Sequence, residues 1–205
     1  MTSRTVVAFS TVILLGAASL AGAQETIKDL LPESPAGFDW VAYGNSAFLK
    51  PRGWNQRAIE AQPDRKVAGA VAVSPEPFSE QSFFEHGFTA QIVADFKEVN
   101  NNIPPAKGAL LILKKIADQH QREEILLFDS RQVQVGEAFV LRYRDAPQGK
   151  TPIVVHKYLI ANDRFDTLHI FTYESPAASW DDNWKTFGTP ILQRILVAPF
   201  LPASP

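Results

Sequence analysis

The sequence predicts an α+β fold in which a central antiparallel sheet lies between helices on both faces, as an α/β/α sandwich. The clearest sign of the sheet is a pair of runs, Ile153 to Ile160 and Phe165 to Tyr173, that are rich in β-branched and aromatic residues. Asn162 and Asp163 stand between them and favour a tight turn, which predicts a hairpin. Both faces of the hairpin are largely apolar, so each face needs a covering layer.

Seven further strands are predicted along the chain. The most diagnostic segment runs from His86 to Phe96, where apolar residues alternate with a period of two and not with the helical period. The seven are expected at Phe38 to Val41, Ala47 to Lys50, Arg57 to Ala61, Val67 to Ser74, His86 to Phe96, Glu124 to Ser130 and Glu137 to Arg144. Their order predicts a meander.

Two helices are predicted to cover the two faces of the sheet. The first begins at Pro104 and Pro105 and runs to about His120. The second is expected to be capped by Ser175 and to begin at Pro176, where a missing N–H group costs nothing. The inward face of the second helix consists of Trp180, Trp184, Phe187 and Ile191.

A break is expected within this last helix. Gly188 and Pro190 both disfavour a continuous helix, so we predict a kink, or a restart with Thr189 as the new cap and Pro190 at the first helical position.

The length of 205 residues and the hydrophobic content of 45% fit one well-buried domain. Arg4 precedes an apolar run from Val6 to Leu20, and Ala21-Gly22-Ala23 fits a signal-peptidase site, with a retained membrane anchor as the alternative. The expected organisation is a signal peptide over residues 1–23, a flexible leader over 24–37, a single domain over 38–200 and a loose tail over 201–205.

The composition limits where in the cell the protein is expected and which class of partner it is expected to bind. The chain has no cysteine, so it lacks the residue that carries the lipid of an exported lipoprotein, and disulfides and thiolate metal sites are excluded. We therefore expect a periplasmic or otherwise exported protein that is not a lipoprotein and that is not stably inserted in a membrane once the signal is removed. The formal net charge of −2 gives no reason to expect a nucleic acid as partner.

No catalytic motif is present in the sequence. G-x-S-x-G, a P-loop, H-E-x-x-H and a dinucleotide fingerprint are all missing, and a triad could be drawn only by combining Ser130 or Ser175 with a distant histidine. We therefore predict that the protein is not an enzyme and needs no cofactor.

Three local strings resemble the PsbP-like family in order and spacing. They are FLKPRGW from Phe48 to Trp54, FFEHGFTAQIV from Phe83 to Val93, and ANDRFDTLHIFTYESPAASWDDNW from Ala161 to Trp184. The resemblance implies an antiparallel sheet between helices. Its named member is an extrinsic subunit of photosystem II, and a superfamily relative in the nucleus binds a small GTPase. The resemblance thus implies a non-enzymatic domain that docks on a larger assembly.

The sharpest local hypothesis concerns the histidines of the hairpin. A loop of Asn162 and Asp163 places His156 directly opposite His169, and a loop of Asp163 and Arg164 would make the contact diagonal on the same face. Imidazole suits zinc or copper, so the pair is a candidate metal or small-ligand site, with a structural pair as the plain alternative.

Three aromatic residues complete the set of candidates. Tyr158 and Tyr173 would lie near the histidine pair, and Trp54 is either a core aromatic or a contact for a ligand or partner. The leading hypothesis is an exported accessory protein that docks on a protein complex of unknown identity. The alternative is a carrier that holds a small apolar or metal ligand between sheet and helix. A deep apolar pocket reaching His156 would favour the carrier, and a flat exposed aromatic patch would favour docking.

Overall fold

The computed structural model describes residues 26–60, 69–78, 84–146 and 150–201, and it confirms the predicted α+β fold. The signal-peptide prediction falls outside these residues, as does the start of the strand expected from Val67. The strands are β1 (Phe38–Tyr43), β2 (Ser46–Pro51), β3 (Asn55–Ile59), β4 (Ala70–Ser74), β5 (Gly87–Val93), β6 (Ile125–Val133), β7 (Gly136–Asp145), β8 (Ile153–Asn162), β9 (Thr167–Pro176) and β10 (Leu196–Val197). The α-helices are α1 (Phe96–Val99), α2 (Pro105–Ala117), α3 (Trp180–Asn183) and α4 (Thr189–Gln193).

Seven of the strands form one antiparallel sheet in the order β3-β4-β5-β9-β8-β7-β6. Its two halves, β3 to β5 and β6 to β9, are each a meander, and they meet where β5 pairs with β9. The central strands β8 and β9 are ten residues long and are buried on both faces, as their apolar composition predicts. The two edges of the sheet are therefore β3 and β6.

Helix α2 covers one face of this sheet. Ala109 and Leu113 are fully buried against Leu141 and Leu159 of the sheet, while the lysines of the helix remain exposed. The helix begins at Pro105, as predicted, because a proline at the first turn loses no intrahelical hydrogen bond.

The other face is covered by two elements, of which the sequence indicated only one. A small three-stranded sheet of order β1-β2-β10 contributes Phe48 and Leu49, and the C-terminal helical segment contributes Trp180 and Ile191. All four side chains are buried, and they share one hydrophobic core with Tyr173 of β9. The core on this face is therefore closed by a sheet and a helical segment together.

The register predicted for the β8–β9 hairpin is wrong. Ala161 pairs with Leu168 and not with Arg164, so the loop holds four residues and Phe165 lies in it instead of in β9. The side chain of Asn162 causes this, because its Oδ1 accepts hydrogen bonds from the backbone N–H groups of Arg164 and Phe165 at 3.1 and 3.0 Å. Asp166 completes the loop in the left-handed conformation, with φ of 50°.

The predicted start of the last helix is also wrong. β9 continues through Pro176, a 3₁₀ turn follows, and α3 begins at Trp180. Ser175 is fully buried and accepts a hydrogen bond from Asn183 Nδ2 at 2.8 Å, so it does not cap the helix. The expected interruption takes the form of a π-helical turn over Trp184–Gly188, after which α4 continues.

The chain preceding β1 packs against the small sheet. Within the segment expected to be a leader, Ile27–Leu30 form a 3₁₀ helix, and the side chain of Ile27 is buried against Ala47 and Leu196. In the part of the chain that the structure describes, none of the helices is both long and apolar enough to span a bilayer.

Candidate functional site

An aromatic cluster lies between the large sheet and the C-terminal helical segment, and it brings two of the predicted site residues together. The ring centroid of Trp54 lies 4.9 Å from that of His86 and 5.1 Å from that of Phe187, and the centroids of His86 and Phe187 lie 5.5 Å apart. His86 Nε2 lies 2.9 Å from the hydroxyl oxygen of Tyr173, and that hydroxyl donates to the carbonyl of Asn183. His86 therefore carries its hydrogen on Nε2. Trp54 and Tyr173 are linked through a histidine that the sequence analysis had not selected.

A second cluster on the same face surrounds Arg142. Its guanidinium lies over the rings of Trp184 and Trp180, at 4.1 and 5.2 Å from their centroids. Its Nε donates a hydrogen bond of 3.1 Å to Nδ1 of His156. Burial lowers the pKa of Arg142 to about 10, which still leaves the group cationic at neutral pH, and the nearby Asp181 carboxylate opposes that lowering.

The structure separates the two histidines that were predicted to face each other. His156 is paired with Tyr173, and His169 is paired with Ile160, so the two imidazoles lie on one face but four residues apart along the strands. That offset corresponds to about 13 Å, which is too far for two ligands of one metal ion. Within the described ranges, no group of three or more histidine, aspartate or glutamate side chains is placed to hold a metal.

Each histidine instead has its own buried environment. His156 is 2% exposed and packs against the ring of Trp184 at 4.6 Å. His169 is 1% exposed, and its Nε2 lies 2.8 Å from Oδ1 of Asn45, to which it donates. Burial lowers the pKa of His156 well below its ordinary value and lowers that of His169 to about 4. Both imidazoles are therefore neutral in the folded protein near pH 7.

These two histidines are expected to make the protein sensitive to mild acid. Their folded pKa values lie below the unfolded value of about 6.5, so their contribution is complete above about pH 6.5 and is lost as the pH falls toward the folded values. The free energy of unfolding should fall by up to about 1.4 kcal/mol per pH unit for each histidine between about pH 6 and pH 5. Urea unfolding across this range measures the slope.

The variant His169→Gln provides the control, because it removes one of the three histidines whose pKa is lowered by burial, the third being His86. It should show a smaller slope than the native chain, whatever its stability at pH 7. An unchanged midpoint in the native protein from pH 7 to pH 5 would contradict the neutral assignment of both histidines.

A small cavity adjoins His156. It is lined by Arg131, Val140, His156, Tyr158 and Leu192, and its volume is about 10 Å³. The hydroxyl of Tyr158 is buried and has no hydrogen-bond partner among the described residues. The predicted candidates His156 and Tyr158 therefore share a cavity, but one with space for about a single water molecule.

The edge strand β6 carries the longest exposed apolar run of the described chain. Leu126, Leu127 and Phe128 are consecutive and are 45%, 39% and 45% exposed. A β-bulge lies at Leu126, and from Leu127 to Val133 the strand pairs regularly with β7. Sequence patterning cannot find such a feature, since the same residues would be buried if β6 were an inner strand.

A wider groove lies at the other end of β6, beside the β6–β7 turn and the β8–β9 loop. It has a volume of about 470 Å³, and its rim includes the half-exposed rings of Phe165 and Phe200. The guanidinium of Arg164 lies 5.3 Å from the centroid of the Phe165 ring. This groove reaches neither His156 nor the space between α2 and the sheet.

Comparison with solved structures finds several that are similar to this chain. Cyanobacterial PsbP from Synechocystis sp. PCC 6803 is 15% identical and has a TM-score of 0.49, with 90% of this chain and 99% of that chain covered. The chain is similar to this PsbP structure. No family model matches the chain, and no curated protein sequence matches it.

Two further structures are similar. The Saccharomyces cerevisiae Ran-binding protein Mog1p is 12% identical with a TM-score of 0.44, and the match covers 78% of this chain and 95% of that one. LpqN of Mycobacterium tuberculosis, which is involved in cell envelope biogenesis, is 15% identical with a TM-score of 0.39, and 87% of this chain and 100% of that one are covered.

Proposed function

We propose that this chain is an exported, non-catalytic accessory protein that docks on a larger protein assembly, and that the edge of β6 is its docking surface. One observation carries the proposal. β6 ends the seven-stranded sheet, so within the described residues no further strand pairs with its outer side, and three consecutive large apolar side chains are exposed along it. An apolar, unprotected edge is a template for the addition of another strand.

The geometry of β6 limits where a partner strand could add. The bulge at Leu126 interrupts the regular ladder, so pairing is available over Leu127 to Val133. Leu127 and Phe128 lie at the start of that stretch and point to opposite faces of the sheet. A partner strand would therefore gain backbone hydrogen bonds along the stretch and apolar contacts on both faces at one end.

The expected occupant is an extended segment of a different protein. Two copies paired about Ser130 would place Asp129 opposite Arg131 of the second copy. Arg131 lines the interior cavity beside His156 and its Nε is buried, so it is not placed to meet Asp129 of a second copy across the edge. A partner segment with apolar residues beside Leu127 and Phe128 and a basic residue opposite Asp129 satisfies all three positions.

The carrier hypothesis finds less support. The cavity that reaches His156 has a volume of about 10 Å³, whereas small-molecule pockets span about 300–1,000 Å³. The docking hypothesis also agrees with the missing catalytic motifs and with the apolar run from Val6 to Leu20 that indicates export. We place the mature protein in the periplasm or an equivalent lumen, without a lipid anchor.

Position-specific photo-crosslinking in the producing cells tests this proposal. A photoreactive residue is placed at Ser130 in β6 or, as the control, at Gln56 in β3, the exposed strand at the opposite edge of the same sheet. We expect one discrete adduct with another protein from Ser130 and none from Gln56. An adduct with the mass of two copies of this chain, or equal adducts from both edges, would contradict the proposal.

A further inference from the structure

We infer that the groove beside the β6–β7 turn receives one end of the docking segment, in the form of a large apolar side chain next to a carboxylate. The lining of the groove includes the half-exposed rings of Phe165 and Phe200 and the guanidinium-bearing residue Arg164. The inference rests on the proposed function and deepens it, because it gives the chemistry of the partner at the end of β6 that lies far from Leu127.

The position of the groove connects it to the docking edge. β6 ends at Val133, and the next two residues, Gln134 and Val135, line the groove. A segment that pairs with β6 therefore reaches the groove when it continues past Val133. The six residue steps from Leu127 to Val133 span about 20 Å in a strand. One extended segment would thus be held at two separate points.

The two aromatic rings are presented by turns that are fixed to the fold. The backbone N–H of Phe165 donates to Oδ1 of Asn162 at 3.0 Å, and its carbonyl accepts from Oγ1 of Thr167 at 2.8 Å. Phe200 lies in a turn over residues 198–201 that a backbone hydrogen bond of 3.0 Å closes. Because both turns are already ordered, a side chain can pack between the rings at a low cost in conformational entropy.

The charge of Arg164 selects the second part of the ligand. Its side chain is exposed, and no carboxylate of the described residues lies within 4.0 Å of it. The two acidic residues of the same loop are engaged elsewhere. Asp163 Oδ1 accepts from the backbone N–H of Ala106 at 2.8 Å, and the Asp166 carboxylate accepts from that of Lys97 at 3.2 Å. A guanidinium is well suited to bind a carboxylate, so we expect aspartate or glutamate in the partner.

The shape of the site favours a peptide segment over a membrane. A volume of about 470 Å³ lies within the range of about 300–1,000 Å³ in which organic groups are bound, and a concave site receives a side chain whereas a membrane anchor protrudes. The expected partner segment has apolar residues beside Leu127 and Phe128 and a basic residue opposite Asp129. Beyond Val133 it continues with a large apolar residue next to an acidic one.

Nuclear magnetic resonance with two short peptides tests the groove without the partner. The probes are N-acetyl-Phe-Glu-amide and N-acetyl-Phe-Gln-amide, which differ only in the charge. Titration of the ¹⁵N-labelled chain with the first should shift the backbone amides of Gln134, Phe165 and Phe200 with half-saturation at about 1 mM. The second should bind about fivefold more weakly. Equal binding of the two peptides, or no shift up to about 20 mM, would overturn the inference.

Matched variants assign the two parts of the ligand to their residues. Arg164→Gln should bind both peptides alike, and Phe200→Ala should weaken both by at least about threefold. The controls are Lys185→Gln, which removes another exposed cation, and Leu111→Ala, which shortens another side chain that is 46% exposed. Both controls should respond like the native chain. Loss of the charge preference in Lys185→Gln as well would indicate a general charge effect and overturn the inference.

Two further measurements separate this inference from the docking proposal and from a membrane. The variant Leu127→Lys, Phe128→Lys should bind both peptides like the native chain, because these residues lie about 20 Å from the groove. A crosslinked adduct from Ser130 without peptide binding would overturn the groove inference alone. Peptide binding without that adduct would contradict the docking edge and assign the groove to a separate ligand. Sedimentation with phosphatidylglycerol vesicles that Phe200→Ala abolishes would assign the rings to a membrane and overturn the inference.

Discussion

The double variant Leu127→Lys, Phe128→Lys is expected to bind the protein crosslinked from Ser130 at least about 100-fold more weakly than the native chain. Strand addition would bury two side chains that are 39% and 45% exposed in the free protein, and two lysines would instead have to be desolvated there. A loss of about 3 kcal/mol corresponds to that factor. Titration of the purified partner by calorimetry or interferometry measures it.

The free protein should tolerate this double change. Both side chains are already largely in water, so the urea midpoint of unfolding should remain close to the native one. The chain offers a matched control in Leu110 and Leu111 of α2, which are 45% and 46% exposed. Changing that pair to lysine should leave binding intact. If the α2 pair abolished binding and the β6 pair did not, the docking surface would lie on α2.

The variant Gly136→Ala is expected to lower the free energy of unfolding by about 3 kcal/mol. This is the largest loss of stability that we predict from adding one methyl group. Gly136 begins β7 with φ of 142°, a conformation that residues with a side chain rarely adopt. A Cβ atom there would overlap the backbone carbonyl oxygen of Ala161 in β8, and backbone cannot move aside as a flexible side chain can. Denaturant unfolding gives the value.

A second glycine separates the cost of the backbone angle from the cost of the overlap. Gly53 also has a positive φ, of 84°, but a Cβ atom there would meet no other atom within 4 Å. Gly53→Ala should therefore cost about 1 kcal/mol, from conformational strain alone. Equal losses in the two variants would show that β7 and β8 do not approach as closely at Gly136 as the structure indicates.

The sheet could be predicted from the sequence because its signals are local. Strict alternation over His86 to Phe96 has a period of two, and β5 occupies the middle of that segment. The two-faced apolar pattern of β8 and β9 required cover on both sides, and α2 and the C-terminal helical segment provide much of it. The tryptophan-bearing face of that segment was also predicted correctly, since Trp180 and Ile191 are buried in the core.

The errors arose where one side chain decides between nearly equal local alternatives. Asn162 can support a two-residue or a four-residue loop, and its hydrogen bonds to the next residues select the longer one. That choice shifts the register of the hairpin and so moves His156 away from His169. Ser175 and Pro176 form a good helix start by composition, but the pairing of β9 with β8 extends through both.

The candidate site depends on contacts that no local pattern contains. His86 meets Tyr173 from 87 positions away, and Asn45 meets His169 from 124 positions away. The exposure of β6 follows from its place at the end of the sheet, which is a property of topology and not of its own sequence. Strand order was the missing information in both cases.

Backbone amide hydrogen exchange in the complex with the crosslinked partner tests the docking proposal most directly. Strand addition predicts that the outward-pointing amides of Leu127 to Val133 exchange at least about tenfold more slowly in the complex than in the free chain. Asn55 to Ile59, on the opposite edge, should exchange at the same rate in both. Unchanged exchange along β6, with protection appearing elsewhere on the chain, would contradict docking at this edge.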